Sequence, residues 1–116
     1  MPLPRAYVGM KEAQPELMGA YEAFGKACAA SGPLDTKTVA LVKLGISMGA
    51  GLEGAAHSHA RKALAAGWSG EDLLHAAQLC APTIGFPTMM RARQWVAEVV
   101  EAQGRGRKKM VPGRKR

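Results

Sequence analysis

Three ionisable side chains lie close together in the segment LEGAAHSHARKALAAG, residues 52–67. They are Glu53, His57 and His59. Histidine titrates near neutral pH and is the side chain most often used as a general acid or base. A nearby carboxylate can orient the imidazole ring and favours its charged form. These three residues are therefore the candidate catalytic residues of the chain.

The helical period decides which of these groups can act together. The small residues of the segment predict a helix over about 52–66, on which Glu53, His57 and Arg61 follow one another at i, i+4 spacing. His59 lies about 160° from His57 around the helix axis and points with the small apolar residues. Two histidines so placed cannot readily bind one metal ion, because the helical metal spacing is i, i+4. No metal ion and no cofactor is expected.

Each group also has a purely structural interpretation. Glu53, His57 and Arg61 can form an exposed ladder that only solvates the helix. His59 can be a core histidine that donates to a backbone carbonyl. His75, beside two leucines in a later helix, is interpreted as structural. The residues alone leave these alternatives open.

Apolar residues recur with a helical period along the chain, and no segment alternates as a strand does. Pro15 suits the first position of a helix, and Ser69 with Asp72 is typical of a capping box. The predicted helices run from Pro15 to the SGP at 31–33, and over 36–50, 52–66, 69–80 and 87–103. The short loops favour an all-α fold, an antiparallel bundle of about five to six helices. Residues 1–104 of the chain are expected to form a single domain.

The apolar faces of these helices predict the core. The first helix has a stripe that we expect to be buried, formed by Leu17, Tyr21, Phe24 and Cys28. The helix over 36–50 is apolar nearly all round, which is typical of the centre of a bundle or of an oligomer interface. Gly45 and Gly49 leave room there for a neighbouring helix. The last helix is expected to bury a face formed by Met89, Ala92, Val96 and Val99.

The two cysteines, Cys28 and Cys80, form neither a CxxC motif nor a zinc-binding pattern. Each lies on an apolar stripe and is interpreted as a small buried hydrophobic residue. A structural disulfide is not expected, because a reducing cytosol disfavours it.

The net charge of +7 comes from the C-terminal segment. Residues 105–116 contain seven basic residues and no acidic one, so residues 1–104 carry nine of each sign. This segment is predicted to be disordered. A solubilising role is favoured over salt-dependent, non-specific contact with nucleic acid or an acidic partner. Sequence-specific recognition of nucleic acid is not expected, because the segment has no aromatic side chain to stack on bases.

The apolar stretches predict no membrane span. The longest, 39–52, is interrupted by Lys43 and Ser47 and is too short to cross a bilayer. The N-terminal residues lack the apolar region of a signal peptide. A cytoplasmic location without a membrane partner is expected.

Three segments occur in a characteristic order: LDTKTVALVKLGISMGAG, HARKALAAGWSGEDLLHAA and APTIGFPTMMRARQWV. Together, over residues 34–96, they resemble the carboxymuconolactone decarboxylase and alkylhydroperoxidase D (AhpD-like) superfamily. The second segment starts at the histidine of the family block, which is His59 here. The resemblance implies an AhpD-like helical fold and self-assembly into a homotrimer or homohexamer.

The resemblance places the family's histidine at His59 but not the family's thiols. Thiol-peroxidase members have a CxxC four and seven residues before this histidine, where this chain has Ala55 and Leu52. Their assisting glutamate falls at Ala40. Peroxidase activity of the CxxC type is therefore not expected, since thiol–disulfide exchange needs a thiolate and a resolving partner. Cys80 remains as a lone thiol, and its apolar surroundings favour low reactivity.

The decarboxylase branch needs no thiol, so the resemblance favours a decarboxylase-like lyase. His59 would protonate the carbon that loses carbon dioxide, with Glu53 and His57 nearby. The obvious cationic candidates for a carboxylate-bearing small-molecule substrate are Lys43, Arg61, Arg91 and Arg93. The alternatives are a non-catalytic oligomeric domain that binds a ligand or acts as a scaffold, and a residual peroxiredoxin-type oxidoreductase.

Overall fold

The computed structural model describes the backbone of residues 3–110 and the side chains of residues 3–104. Its helices are α1 (Arg5–Ala13), α2 (Pro15–Ala30), α3 (Thr36–Gly49), α4 (Glu53–Ala65), α5 (Gly70–Gln78), α6 (Cys80–Ile84) and α7 (Phe86–Met110). Residues 3–110 contain no strand. The all-α prediction is confirmed.

Most helix boundaries follow the local signals in the sequence. Pro15 is the first residue of α2. Ser69 caps α5 in a full capping box, in which the Asp72 amide donates to Ser69 Oγ and the Ser69 amide donates to the Asp72 carboxylate. The break predicted at 81–87 is confined to Gly85, whose φ of 111° stops α6 before α7 begins. α1 was not predicted, because it buries no residue and has no capping side chain.

The basic segment at the C-terminus is described only in part. α7 continues to Met110, so the backbone of residues 105–110 is helical in the structure, and the disorder predicted for 105–116 stays a prediction. Arginine and lysine, which dominate this stretch, are good helix formers. Residues 111–116, and with them the rest of the predicted disorder, lie outside the described residues.

The helices fall into two compact units that divide after Asp35. The single domain predicted over 1–104 therefore stays a prediction. In the first unit α1 packs on α2, and the Tyr7 hydroxyl donates to Glu22 Oε2 at 2.6 Å. This hydrogen bond, with the ammonium of Lys11 at 3.4 Å, lowers the pKa of Glu22.

The apolar stripe of α2 is not part of a core in this chain. Leu17, Tyr21 and Phe24 are exposed, Phe24 to 69% of its surface, and Cys28 is exposed as well. The prediction that this stripe, and with it Cys28, is buried is therefore wrong for the single chain. The helical period identifies which face is apolar, but it does not say what covers that face.

The core of the second unit lies where α3 packs on α4, and where α7 packs on α4, α5 and α6. It consists of Leu44, Met48, Ala56, Ala60, Ala63, Leu73, Ala77, Cys80, Ala92, Val96 and Val99. Three of the four residues predicted for the buried face of α7 are fully buried, and Met89 is partly buried against them. α3 buries only one face, since Val42 and Ile46 on its other side are exposed. α3 is therefore not the enclosed centre of this chain's bundle, and its alternative role in an oligomer interface stays a prediction.

None of the helices among the described residues combines the length and the apolar character that a membrane crossing requires.

The closest glycine contact in the described residues joins α5 to α7. A Cβ built on Gly70 would lie 2.8 Å from Val100 Cγ1, whereas Gly49 has only an ordinary contact of 3.7 Å with Ile84 and Gly45 has none. Gly45 and Gly49 were expected to allow a neighbouring helix to approach closely, but neither makes a close contact with another helix of the described residues. Gly70 fills that role, at the first position of α5.

Gly70→Ala should lower the free energy of unfolding by about 1–3 kcal/mol, because the added methyl group must push Val100 and α7 aside. Chemical denaturation followed by circular dichroism measures this change. Gly104→Ala is the matched control on α7, since a Cβ there meets no atom within 4 Å. It should leave stability unchanged or raise it by up to about 1 kcal/mol. Equal effects of the two substitutions would contradict the close α5–α7 contact.

Candidate functional site

α4 presents its ionisable residues on either side of a stripe of small buried residues. Ala56, Ala60 and Ala63 are fully buried, and their small side chains let α3 and α7 both pack against this helix. His59 lies beside residues of α3, and His57 contacts α7. The separation predicted from the helical period is therefore present, and each histidine has its own neighbours.

His59 lines a cleft of about 180 Å³ between α3 and α4. α3 contributes the side chains of Thr36, Val39, Ala40 and Lys43, α4 contributes those of His59 and Lys62, and Ala66 follows the last residue of α4. The lining thus combines small apolar residues with one imidazole and two ammonium groups. His59 is partly buried in this cleft and is not a fully enclosed core histidine.

The electrostatics of the cleft favour a negatively charged ligand. Partial burial lowers the pKa of His59 below its usual value, and the charges of Lys43 and Lys62 lower it further. The ring therefore favours its neutral form in the free protein. Two lysines in one concave surface attract anions, and an anion bound there would offset their effect on the imidazole.

One end of the cleft is fixed by an interaction between the start of α3 and the turn after α4. The indole Nε1 of Trp68 donates to the backbone carbonyl of Lys37 at 2.7 Å. The Lys37 ammonium lies 4.4 Å from the centre of the Trp68 ring, a cation–π contact. Thr36, the neighbour of Lys37, lines the cleft. Trp68 therefore holds this part of the cleft wall in place.

A second cluster brings Glu53 and His57 of α4 together with Glu98 of α7. Nε2 of His57 lies 2.9 Å from Oε1 of Glu98. One donor atom from each of the three residues lies within 4.8 Å of the other two. The His57 side chain is only 15% exposed, so the exposed ladder considered for this stripe does not describe His57. Glu98 covers it from the neighbouring helix.

The remaining cationic and histidine candidates lie outside the cleft lining. Arg93 Nε donates to Gln78 Oε1 at 3.1 Å and is exposed, as are Arg91 and His75. Arg61 does not line the cleft either. Among the four predicted cations, only Lys43 lies beside His59. Lys62, which the sequence reasoning missed, is recognisable by its i, i+3 spacing from His59 on α4.

The two thiols have opposite surroundings. Cys80 is buried, and burial raises the pKa of its thiol. Cys28 is exposed on α2. The low reactivity expected of Cys80 agrees with this environment, because the thiolate is the reactive form and burial disfavours it.

These features define an all-α protein with a helix-borne histidine in a small cationic cleft. The family model that describes the carboxymuconolactone decarboxylase family matches residues 15–98, from the first residue of α2 to Glu98 in α7. The chain therefore belongs to the carboxymuconolactone decarboxylase family. No curated protein and no solved structure matches the chain.

Family membership gives the cleft a further meaning. Ala40, where the resemblance places the glutamate of the thiol-peroxidase branch, lines the cleft beside His59. The resemblance places that branch's cysteines at Ala55 and Leu52, neither of which lines the cleft, and Leu52 is exposed. The residues that line the cleft beside His59 include no cysteine.

Two single-cysteine variants test the thiol environments. Cys80→Ser leaves the exposed thiol, and Cys28→Ser leaves the buried one. We expect iodoacetamide at pH 7.5 to label the first variant at least tenfold faster, because Cys28 is exposed, whereas burial hinders access to Cys80 and raises the pKa of its thiol. Mass spectrometry of timed samples measures the rates. Labelling of Cys80 as fast as Cys28 would restore the lone-thiol alternative.

Proposed function

We propose that this chain is an acid–base enzyme that decarboxylates a small carboxylate-bearing molecule, with His59 as the proton donor. The carrying observation is that His59, Lys43 and Lys62 line one cleft of about 180 Å³. Membership of the carboxymuconolactone decarboxylase family supports the same class of reaction. The absence of cysteine at positions 52 and 55 favours this chemistry over thiol exchange.

The lining residues suggest how such a step would proceed. A lysine ammonium binds a carboxylate or enolate oxygen of the substrate, and the apolar side chains of Val39 and Ala66 desolvate the carboxylate that leaves. The carbon–carbon bond breaks, carbon dioxide departs, and its bonding electrons stay on the substrate as an enolate. The nearby ammonium stabilises this negative charge. The bound carboxylate offsets the charges of Lys43 and Lys62, so the His59 ring takes up a proton from solvent when the substrate binds. The resulting imidazolium then gives this proton to the carbon and completes the carbon–hydrogen bond.

Glu53 and His57 were expected to act beside His59. They do not line the cleft, and they lie instead with Glu98 on the side of α4 that contacts α7. We therefore assign proton transfer to His59, and in this proposal Glu53 and His57 act only through the position of α4.

His59→Gln should lower kcat for decarboxylation by about 10²–10⁴-fold, the usual contribution of a general acid. A panel of γ-carboxylactones and β-keto acids, assayed by release of carbon dioxide, identifies a substrate for this comparison. Lys43→Met should mainly raise KM, because it removes a charge that binds the substrate. His75→Gln, at an exposed position on α5, is the matched histidine control.

Two results would contradict the proposal. Equal turnover by the parent protein and His59→Gln would show that His59 is not the proton donor. Saturable binding of a panel member without turnover would instead favour the alternative of a non-catalytic ligand-binding domain.

We also propose that the protein self-associates, as a homotrimer or homohexamer. The supporting observations are taken within each unit: Leu17, Tyr21 and Phe24 of α2 are exposed in the first unit, and Val42 and Ile46 of α3 are exposed in the second. Apolar side chains of this size are costly to leave in water, which favours their burial against another copy.

Phe24→Glu should reduce the molar mass measured by light scattering after size-exclusion chromatography, because it introduces a charge into the exposed apolar stripe of α2. Glu16→Lys, also at an exposed position on α2, controls for a change of charge alone. A parent protein of monomeric mass, or an unchanged mass in Phe24→Glu, would count against self-association through α2.

A further inference from the structure

The cluster of Glu53, His57 and Glu98 carries an inference that is independent of the His59 cleft. We propose that these three residues form a binding site for a divalent transition-metal ion such as Zn²⁺ or Co²⁺. The proposal rests on the arrangement of their donor atoms, which lie within 4.8 Å of one another on two packed helices.

The spacing of the ligands suits a helical metal site. Glu53 and His57 are i, i+4 neighbours on α4, so their side chains project from one face of the helix. Glu98 approaches from α7, and its Oε1 already lies 2.9 Å from Nε2 of His57. With metal–ligand bonds of about 2.0–2.2 Å, ligands around one ion lie about 3–3.5 Å apart. Small rotations of the two glutamate side chains would therefore bring the three ligand atoms to these distances.

The local packing holds the imidazole and leaves the carboxylates adjustable. The His57 side chain is 15% exposed, whereas Glu98 is 43% exposed and Glu53 is exposed at the first position of α4. Because the imidazole ring is already held by its surroundings, it loses little conformational freedom when an ion binds. The two carboxylates can adjust their positions to the ion. The open side of the cluster gives the ion a path from solvent.

The donor set selects the class of ion. One imidazole and two carboxylates suit Zn²⁺, Co²⁺, Mn²⁺ and Fe²⁺, whereas Ca²⁺ and Mg²⁺ prefer ligands that are all oxygen. The cluster contains no thiolate or thioether, which disfavours Cu⁺. Three protein ligands leave at least one position on the ion for water or another small ligand. A divalent ion would also neutralise the charges of both carboxylates.

No metal site was expected from the sequence, because the two histidines of α4 lie too far apart around the helix axis to bind one ion. His59 remains outside the cluster, so that part of the reasoning still holds. The third ligand comes from a residue 41 positions after His57, which no local spacing rule connects to α4.

The experiment uses the full chain, without an affinity tag and after treatment with a chelator. Isothermal titration with Zn²⁺, and the visible absorption of Co²⁺, measure affinity and coordination. We expect one ion per chain at saturation, and absorption in the visible range that is typical of four- or five-coordinate Co²⁺. Zn²⁺ should raise the melting temperature in proportion to the logarithm of its concentration.

Substitutions identify the ligands. His57→Gln, Glu53→Gln and Glu98→Gln should each weaken Zn²⁺ binding at least tenfold. Two matched controls should leave it unchanged: His75→Gln, at an exposed histidine of α5, and Glu101→Gln, at an exposed glutamate of α7. Because Glu53 is exposed at a helix start, Glu53→Gln tests the site even if the variants of the packed residues fold poorly.

The outcomes separate this site from the cleft. His59→Gln should bind Zn²⁺ with the affinity of the parent protein, whatever its effect on decarboxylation. No saturable binding, or binding that the three ligand substitutions leave intact, would overturn the proposal. In that case the cluster is a hydrogen-bonded pair of His57 and Glu98 with a neighbouring carboxylate. Loss of affinity in His75→Gln would equally overturn it by placing the ion elsewhere.

Discussion

The close packing of α4 against two neighbouring helices is the constraint on which both candidate sites depend. Ala56, Ala60 and Ala63 are fully buried along one stripe of this helix. Side chains this small let helix axes approach, and the contact is stabilised by burial of the larger apolar side chains of α3 and α7. Because α4 is covered from two directions, its two flanks meet different helices. His59 therefore has lysines of α3 and α4 around it, whereas His57 has a glutamate of α7.

This arrangement explains how residues two positions apart come to have unlike environments. Near His59 the surrounding charges are positive and the neutral imidazole is favoured. Beside His57 lie the carboxylates of Glu53 and Glu98. Neither environment follows from the histidines themselves. Each depends on which helix packs beside the flank of α4 that carries the ring.

The sequence was sufficient for features that depend on neighbours along the chain. The helical period predicted α2, α3, α4, α5 and α7, and Ser69 with Asp72 marked the start of α5. The period also separated His57 from His59. For the basic stretch after Gly104, composition suggested disorder, whereas its arginines and lysines are also good helix formers, and α7 extends to Met110.

Features that depend on tertiary contacts were beyond local patterns. Glu98 approaches His57 only because α7 packs on α4, and nothing in its own neighbourhood distinguishes it from other surface glutamates. The apolar stripe of α2 is the reverse case, because here the sequence predicted a burial that the structure does not show. An apolar face at the correct period was taken as core, but periodicity does not distinguish burial within one chain from burial against another surface.

Because of the contact between Trp68 and Lys37, the fluorescence of Trp68 should respond to changes in the cleft. The Trp68 indole donates to the backbone at the start of α3 and lies under the Lys37 ammonium. Trp68 itself belongs to the turn after α4, the helix that carries His59. A ligand that widens the cleft would have to stretch this contact and alter the polarity around the ring. Indole emission responds to such a change, so entry of a small molecule should alter the contribution of Trp68 to the intrinsic fluorescence, beside the constant contribution of Trp95.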